Sequence, residues 1–82
     1  MTRHIGQFLK EKREQKGMTQ AQVAEKLGYG SPQFISNIER GISRVPLKSL
    51  KAFRQVYELN ADQVINLLLE EKKEQLRKQL SN

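Results

Sequence analysis

The chain has 82 residues, which is enough for one domain with a modest core and too few for a deeply buried substrate cleft. Fifteen Lys and Arg against nine Asp and Glu give a formal charge of +6, which makes nucleic acid the leading partner, the other reading of charge alone being a merely soluble basic surface. Cysteine is absent, which excludes disulfides and thiolate metal sites and fits a reducing cytoplasm.

Residues 1–10 carry no unbroken apolar run of the kind a signal peptide needs. His4, the single histidine, has no cysteine or carboxylate cluster beside it in sequence and reads as a surface residue rather than a ligand or general base. A first helix is expected over residues 5–16, where Ile5, Phe8 and Leu9 form a stripe and Gly17 supplies a left-handed stop. Met18 then enters the core.

Thr19 opens the second helix with a T-x-x-Q capping box, its hydroxyl meeting the backbone while Gln22 reaches back. Val23, Ala24 and Leu27 form its buried face, and a small Ala24 would let a crossing helix approach closely. Gly28, Tyr29 and Gly30 make a short turn, after which Ser31 and Pro32 read as cap and first residue of a third helix. There Ile35 and Ile38 point inward, leaving Gln33, Phe34, Ser36, Asn37 and Arg40 outward or at the edge. Amides and hydroxyls suit reading base edges, since Gln or Asn can both donate to and accept from adenine. The other reading is a solvated face, which surface helices usually fill with Lys and Glu.

Pro46 is expected to begin a fourth helix with the stripe Leu47, Leu50, Phe53 and Tyr57. Between Ser31 and Arg54 the cations Arg40, Arg44, Lys48, Lys51 and Arg54 face the single acid Glu39, so the positive charge is concentrated here. Asn60 and Gln63 start a fifth helix that buries Val64, Ile65, Leu68 and Leu69. Residues 64–69 are the most apolar stretch, yet Asn66 interrupts them and they are too short to span a bilayer. The helix continues as a charged extension pairing Glu70 with Lys73 and Glu74 with Lys78. Its seam of Ile65, Leu69, Leu76 and Leu80 is broken at Lys72 and Lys73, which argues against a full coiled coil but allows a dimer contact. The reading is an all-α domain over residues 1–69 with an extension over residues 70–82, and no strand, cofactor, metal, membrane segment or catalytic constellation is expected.

These pieces resemble the Xre family of bacterial and phage regulators, which includes the Cro and repressor proteins of lambda-like phages. The resemblance rests on Ile5-Gly6, on residues 13–17, on Met18-Thr19-Gln20-Ala21-Gln22-Val23-Ala24-Glu25-Lys26-Leu27-Gly28, on Phe34-Ile35-Ser36-Asn37-Ile38-Glu39-Arg40-Gly41, and on residues 46–50. It implies a five-helix lambda repressor-like fold in which the second and third helices form the helix-turn-helix and the third enters the major groove of double-stranded DNA. By position, Gln33, Ser36 and Asn37 would meet base edges, and Phe34 a sugar, a phosphate or a thymine methyl. Gln20, at the positive end of the second helix, would contact a phosphate, as would Arg40, Arg44 and, more weakly, Lys48. Arg13 and Glu39 match the family's structural ion pair, each beside the core stripe of its helix; the alternative is a surface pair worth little.

The chain departs from the family at the turn Gly28-Tyr29-Gly30-Ser31, which is one residue longer than the commonest pattern and bears on the register of Gln33. Lys12 and Arg54 stand where relatives often carry an apolar or small residue. The expected function is a cytoplasmic, sequence-specific transcriptional regulator, not an enzyme, binding a palindromic operator as a homodimer in the manner of a phage repressor or a restriction-modification controller. The rival expectation is an antitoxin that holds a toxin on residues 70–82 and represses its own operon.

Overall fold

In the computed structural model, which describes residues 4–81, the apolar stripes form α1 (Ile5–Gln15), α2 (Gln20–Leu27), α3 (Gln33–Glu39), α4 (Leu50–Tyr57) and α5 (Ala61–Leu80). Met1, Thr2 and Arg3 of the expected domain, and Asn82 of its extension, lie outside the described residues. No strand occurs among the described residues, as the sequence patterning requires. The described residues match the all-α, five-helix expectation.

Ile5, Phe8 and Leu9 of α1 are buried together with Val23, Ala24, Ile35, Ile38, Phe53 and Tyr57 in one core. α1 crosses α3 at Gly6, where a Cβ would collide with the carbonyl oxygen of Ile38. Only a glycine allows that approach. At α2 the capping box is complete: Thr19 Oγ1 accepts from the Gln22 amide at 3.1 Å and Gln22 Oε1 accepts from the Thr19 amide at 2.8 Å. Ala24 is 2 % exposed beneath the crossing helix, and Gly28, at φ 82°, ends α2 in the left-handed region. Pro32 already has helical dihedrals, but regular α3 starts at Gln33, and the Ser31 hydroxyl accepts from the Gln33 amide at a long 3.4 Å.

Two expected stripes are corrected. Pro46 is extended, with ψ 137°, and leads into a short 3-10 turn, Leu47–Ser49, so α4 starts only at Leu50. Leu47 is therefore 82 % exposed, while Val45 and Ser49 are buried in its place. Six positions before Phe53, Leu47 would lie about 120° round a helix from it, off the inward line. On α5 the inward row is Val64 with Leu67 and Leu68, whereas Ile65 and Leu69 are 50 % and 53 % exposed. The apolar surface of α5 is wider than the body of the domain covers. Leu59, also buried, closes the corner between α4 and α5.

The far half of α5 is tied to the start of α1 where Glu71 Oε2 accepts the Ile5 amide at 2.7 Å. A carboxylate there satisfies a free donor at the positive end of α1. His4 lies beside it, with Nδ1 3.9 Å from Glu71 Oε1, and its side chain is otherwise exposed. Beyond Glu71 the helix continues to Leu80, with Leu76 and Leu80 exposed.

Candidate nucleic-acid interface

α2, the turn at residues 28–32 and α3 stand at one end of the domain, braced from behind by an ion pair. Arg13 donates from Nε to Glu39 Oε2 at 2.7 Å and from Nη2 to Glu39 Oε1 at 3.2 Å. The side chains are 12 % and 3 % exposed, so water screens the pair weakly. The hydrogen bond to Glu39 raises the Arg13 pKa above its already high ordinary value. Arg13 Nη1 also donates to the Met18 carbonyl at 2.8 Å, fastening the α1–α2 corner. Gln20, at the head of α2, donates from Nε2 to Glu39 Oε1 at 2.9 Å. One carboxylate thus joins α1, α2 and α3.

On the outer face of α3, Gln33 Nε2 donates to Asn37 Oδ1 at 2.9 Å and Arg40 Nη2 donates to the same oxygen at 3.1 Å. The three side chains form a ladder along successive turns, with Ser36 half-buried at its edge. Gln33 and Arg40 are exposed and Asn37 is half-buried. The ladder is polar, cationic at one end, and free of carboxylates. Past α3 the amides of Ile42 and Ser43 donate to the Asn37 carbonyl at 2.9 and 3.2 Å, which fixes the exit of the chain toward Arg44. Arg44 and Lys48 are both exposed, the latter in the 3-10 turn.

Phe34 sits differently from the rest of the outward set. It is half-buried against the core, and its ring stacks on Tyr29 with centroids 4.0 Å apart. Tyr29 and Ser49, which share a 2.6 Å hydrogen bond, were not singled out by sequence reasoning. The available signal was a lone aromatic residue between two glycines. The two atypical cations have local roles: Lys12 Nζ lies 5.5 Å from the Phe8 ring centroid, and Arg54 Nε donates to the Leu59 carbonyl at 3.3 Å.

Among the described residues no group of His, Cys, Asp and Glu is placed to hold a metal ion, and no helix is long and apolar enough to cross a membrane. The family model for the helix-turn-helix domain HTH_3 matches residues 9–64. Two crystal structures of the restriction-modification controller protein C.Esp1396I are similar to this chain. A tyrosine-to-phenylalanine mutant is 32 % identical with a TM-score of 0.63, and the match covers 80 % of this chain and 82 % of that one. An arginine-to-alanine mutant is 30 % identical with a TM-score of 0.62, covering 80 % and 87 %. No curated protein is a significant match.

Proposed function

We propose that this chain, which belongs to the helix-turn-helix family of Xre and lambda repressor-like DNA-binding regulators, reads a specific operator with α3 and acts by occupying promoter DNA as a homodimer. The observation that carries the reading is the Gln33–Asn37–Arg40 ladder on the outer face of α3. Its amides can exchange their mutual hydrogen bonds for bonds to base edges, and each good bidentate pair discriminates by about 1–3 kcal/mol. Ser36 lies on the same face, and Phe34 at its edge offers an apolar contact for a thymine methyl or a sugar. Arg40, Arg44 and Lys48 take phosphates and set register without reading sequence. Gln20, held by Glu39 through one amide hydrogen, offers the other to a phosphate at the positive end of α2.

A second copy is supported by the apolar surface left open on α5. Ile65, Leu69, Leu76 and Leu80 are exposed along this helix, and Ile42 and Leu47 are exposed on the body. Solvated leucines on a projecting helix are stabilised by a partner of the same kind, and two-fold pairing would place each α3 on one half-site. Similarity to a restriction-modification controller favours a controller role over that of a phage repressor.

The experiment compares Gln33→Ala with Arg44→Ala on a DNA duplex bound by the wild-type chain. Gln33→Ala is expected to relax preference at one base position. Arg44→Ala is expected to weaken all sequences alike and lower the salt slope by about one unit. Identical behaviour of the two variants would overturn the assignment of α3 as the reading element.

A further inference from the structure

Tyr29 occupies the long turn between α2 and α3, and it touches three elements at once. Its amide donates to the Ala24 carbonyl at 2.8 Å, anchoring it to the end of α2. Its ring stacks on Phe34 of α3, with an interplanar angle of 27°. Its hydroxyl shares a 2.6 Å hydrogen bond with Ser49 Oγ, and Ser49 is only 6 % exposed although its side chain is polar. Ser49 closes the 3-10 turn that displays Lys48.

We propose that Tyr29 and Ser49 are a positioning pair for sequence discrimination: together they fix the roll of α3 and its distance from the segment that carries Lys48. The inference rests on α3 being the reading helix. α3 has seven residues, and Ile35 and Ile38 hold it along one inward line. A helix seated on one line can still roll about it. Phe34 stands on the flank, so the Tyr29 ring opposes that roll, and the bond to buried Ser49 prevents the ring from following. Bidentate recognition of a base edge demands hydrogen-bond geometry, whereas attraction to the phosphate chain tolerates displacement. Loosening the brace therefore degrades discrimination before it degrades general affinity.

The test uses Tyr29→Phe, which retains the stacked ring, Ser49→Ala, which removes the same bond from the other side, and the double variant. Affinities are measured at one salt concentration for the duplex that wild type selects from a random pool and for a scrambled duplex of equal length, at a temperature where circular dichroism shows all four chains folded. Each single variant is expected to lose about three- to tenfold of the selected-to-scrambled ratio, the range of one net hydrogen bond. Affinity for the scrambled duplex and the salt slope should stay unchanged, and the double variant should lose no more than either single. An unchanged ratio, an equal loss on both duplexes, or losses that multiply in the double variant would each overturn the pairing. If wild type selects no sequence, the reading helix itself is misassigned and the inference falls with it. If wild type selects a duplex and the variants discriminate equally well, only the positioning role fails.

Discussion

Gln20 Nε2 donates to Glu39 Oε1 at 2.9 Å, so the carboxylate that receives the Arg13 guanidinium also holds the first residue of α2. Two residues converge on this nearly buried carboxylate, Arg13 through two N–H groups and Gln20 through one. Arg13→Met would strand the charge. We expect a loss of about 3–5 kcal/mol in urea unfolding, the cost of leaving a buried ion unpaired. A loss under about 1 kcal/mol, the value of an exposed pair, would contradict the bracing role.

The contact between α1 and α3 leaves no room for a side chain at Gly6. Gly6→Ala adds a methyl group directly against the Ile38 carbonyl, and backbone cannot yield as a side chain can. Overpacking of this kind costs about 1–3 kcal/mol. An unaltered thermal midpoint would show that the helices separate freely, contrary to the packing described.

Glu58 ends α4 at φ 55°, in the left-handed region, which is costly for a residue with a Cβ. Its carboxylate accepts from Lys16 Nζ at 2.7 Å on the surface, and the Lys16 ammonium holds the Glu58 carboxyl below its ordinary pKa. A lowered folded pKa means that the pair's contribution is present above the ordinary carboxylate value and is lost as pH falls through the lowered one. Glu58→Gly relieves the backbone and should be more stable than wild type at neutral pH. Its advantage should widen in acid, where wild type loses the Lys16 contact. A wild-type chain more stable than Glu58→Gly at neutral pH would refute this account.

Tyr57 Oη is buried and makes no hydrogen bond among the described residues. Burial, with Glu39 nearby, raises the Tyr57 pKa above its ordinary value of 10.0. A raised folded pKa gives stability that is complete below the unfolded value and falls as pH climbs above it, because the unfolded chain releases the proton first. Tyr57→Phe should therefore unfold within about 1 kcal/mol of wild type at pH 7, since no bond is lost. Above about pH 10 the variant should lose stability less steeply than wild type in unfolding scans. A large loss at neutral pH would mean that the hydroxyl is bonded.

Much of this fold was legible in the sequence where a local rule decides the outcome. Thr19 and Gln22 form the reciprocal cap that their spacing announces, and Ile35 and Ile38 bury as their period requires. Leu47, Ile65 and Leu69 were misplaced because each lies at the edge of a stripe, where the neighbouring element decides how far coverage extends. The chain from Gln33 to Arg40 was readable as an amide-rich face, but the inward turn of Phe34 was not. That turn depends on Tyr29 and Ser49, twenty residues apart in sequence and joined only when the turn and the 3-10 segment meet.

The central claim, that α3 reads a defined sequence for a two-fold dimer, is tested most directly by selecting bound duplexes from a random DNA pool with the wild-type chain. The account predicts enrichment of an inverted repeat whose half-sites are centred about one helical turn apart, roughly 34 Å. A pool that stays random, or one that enriches a single unrepeated site, would contradict it.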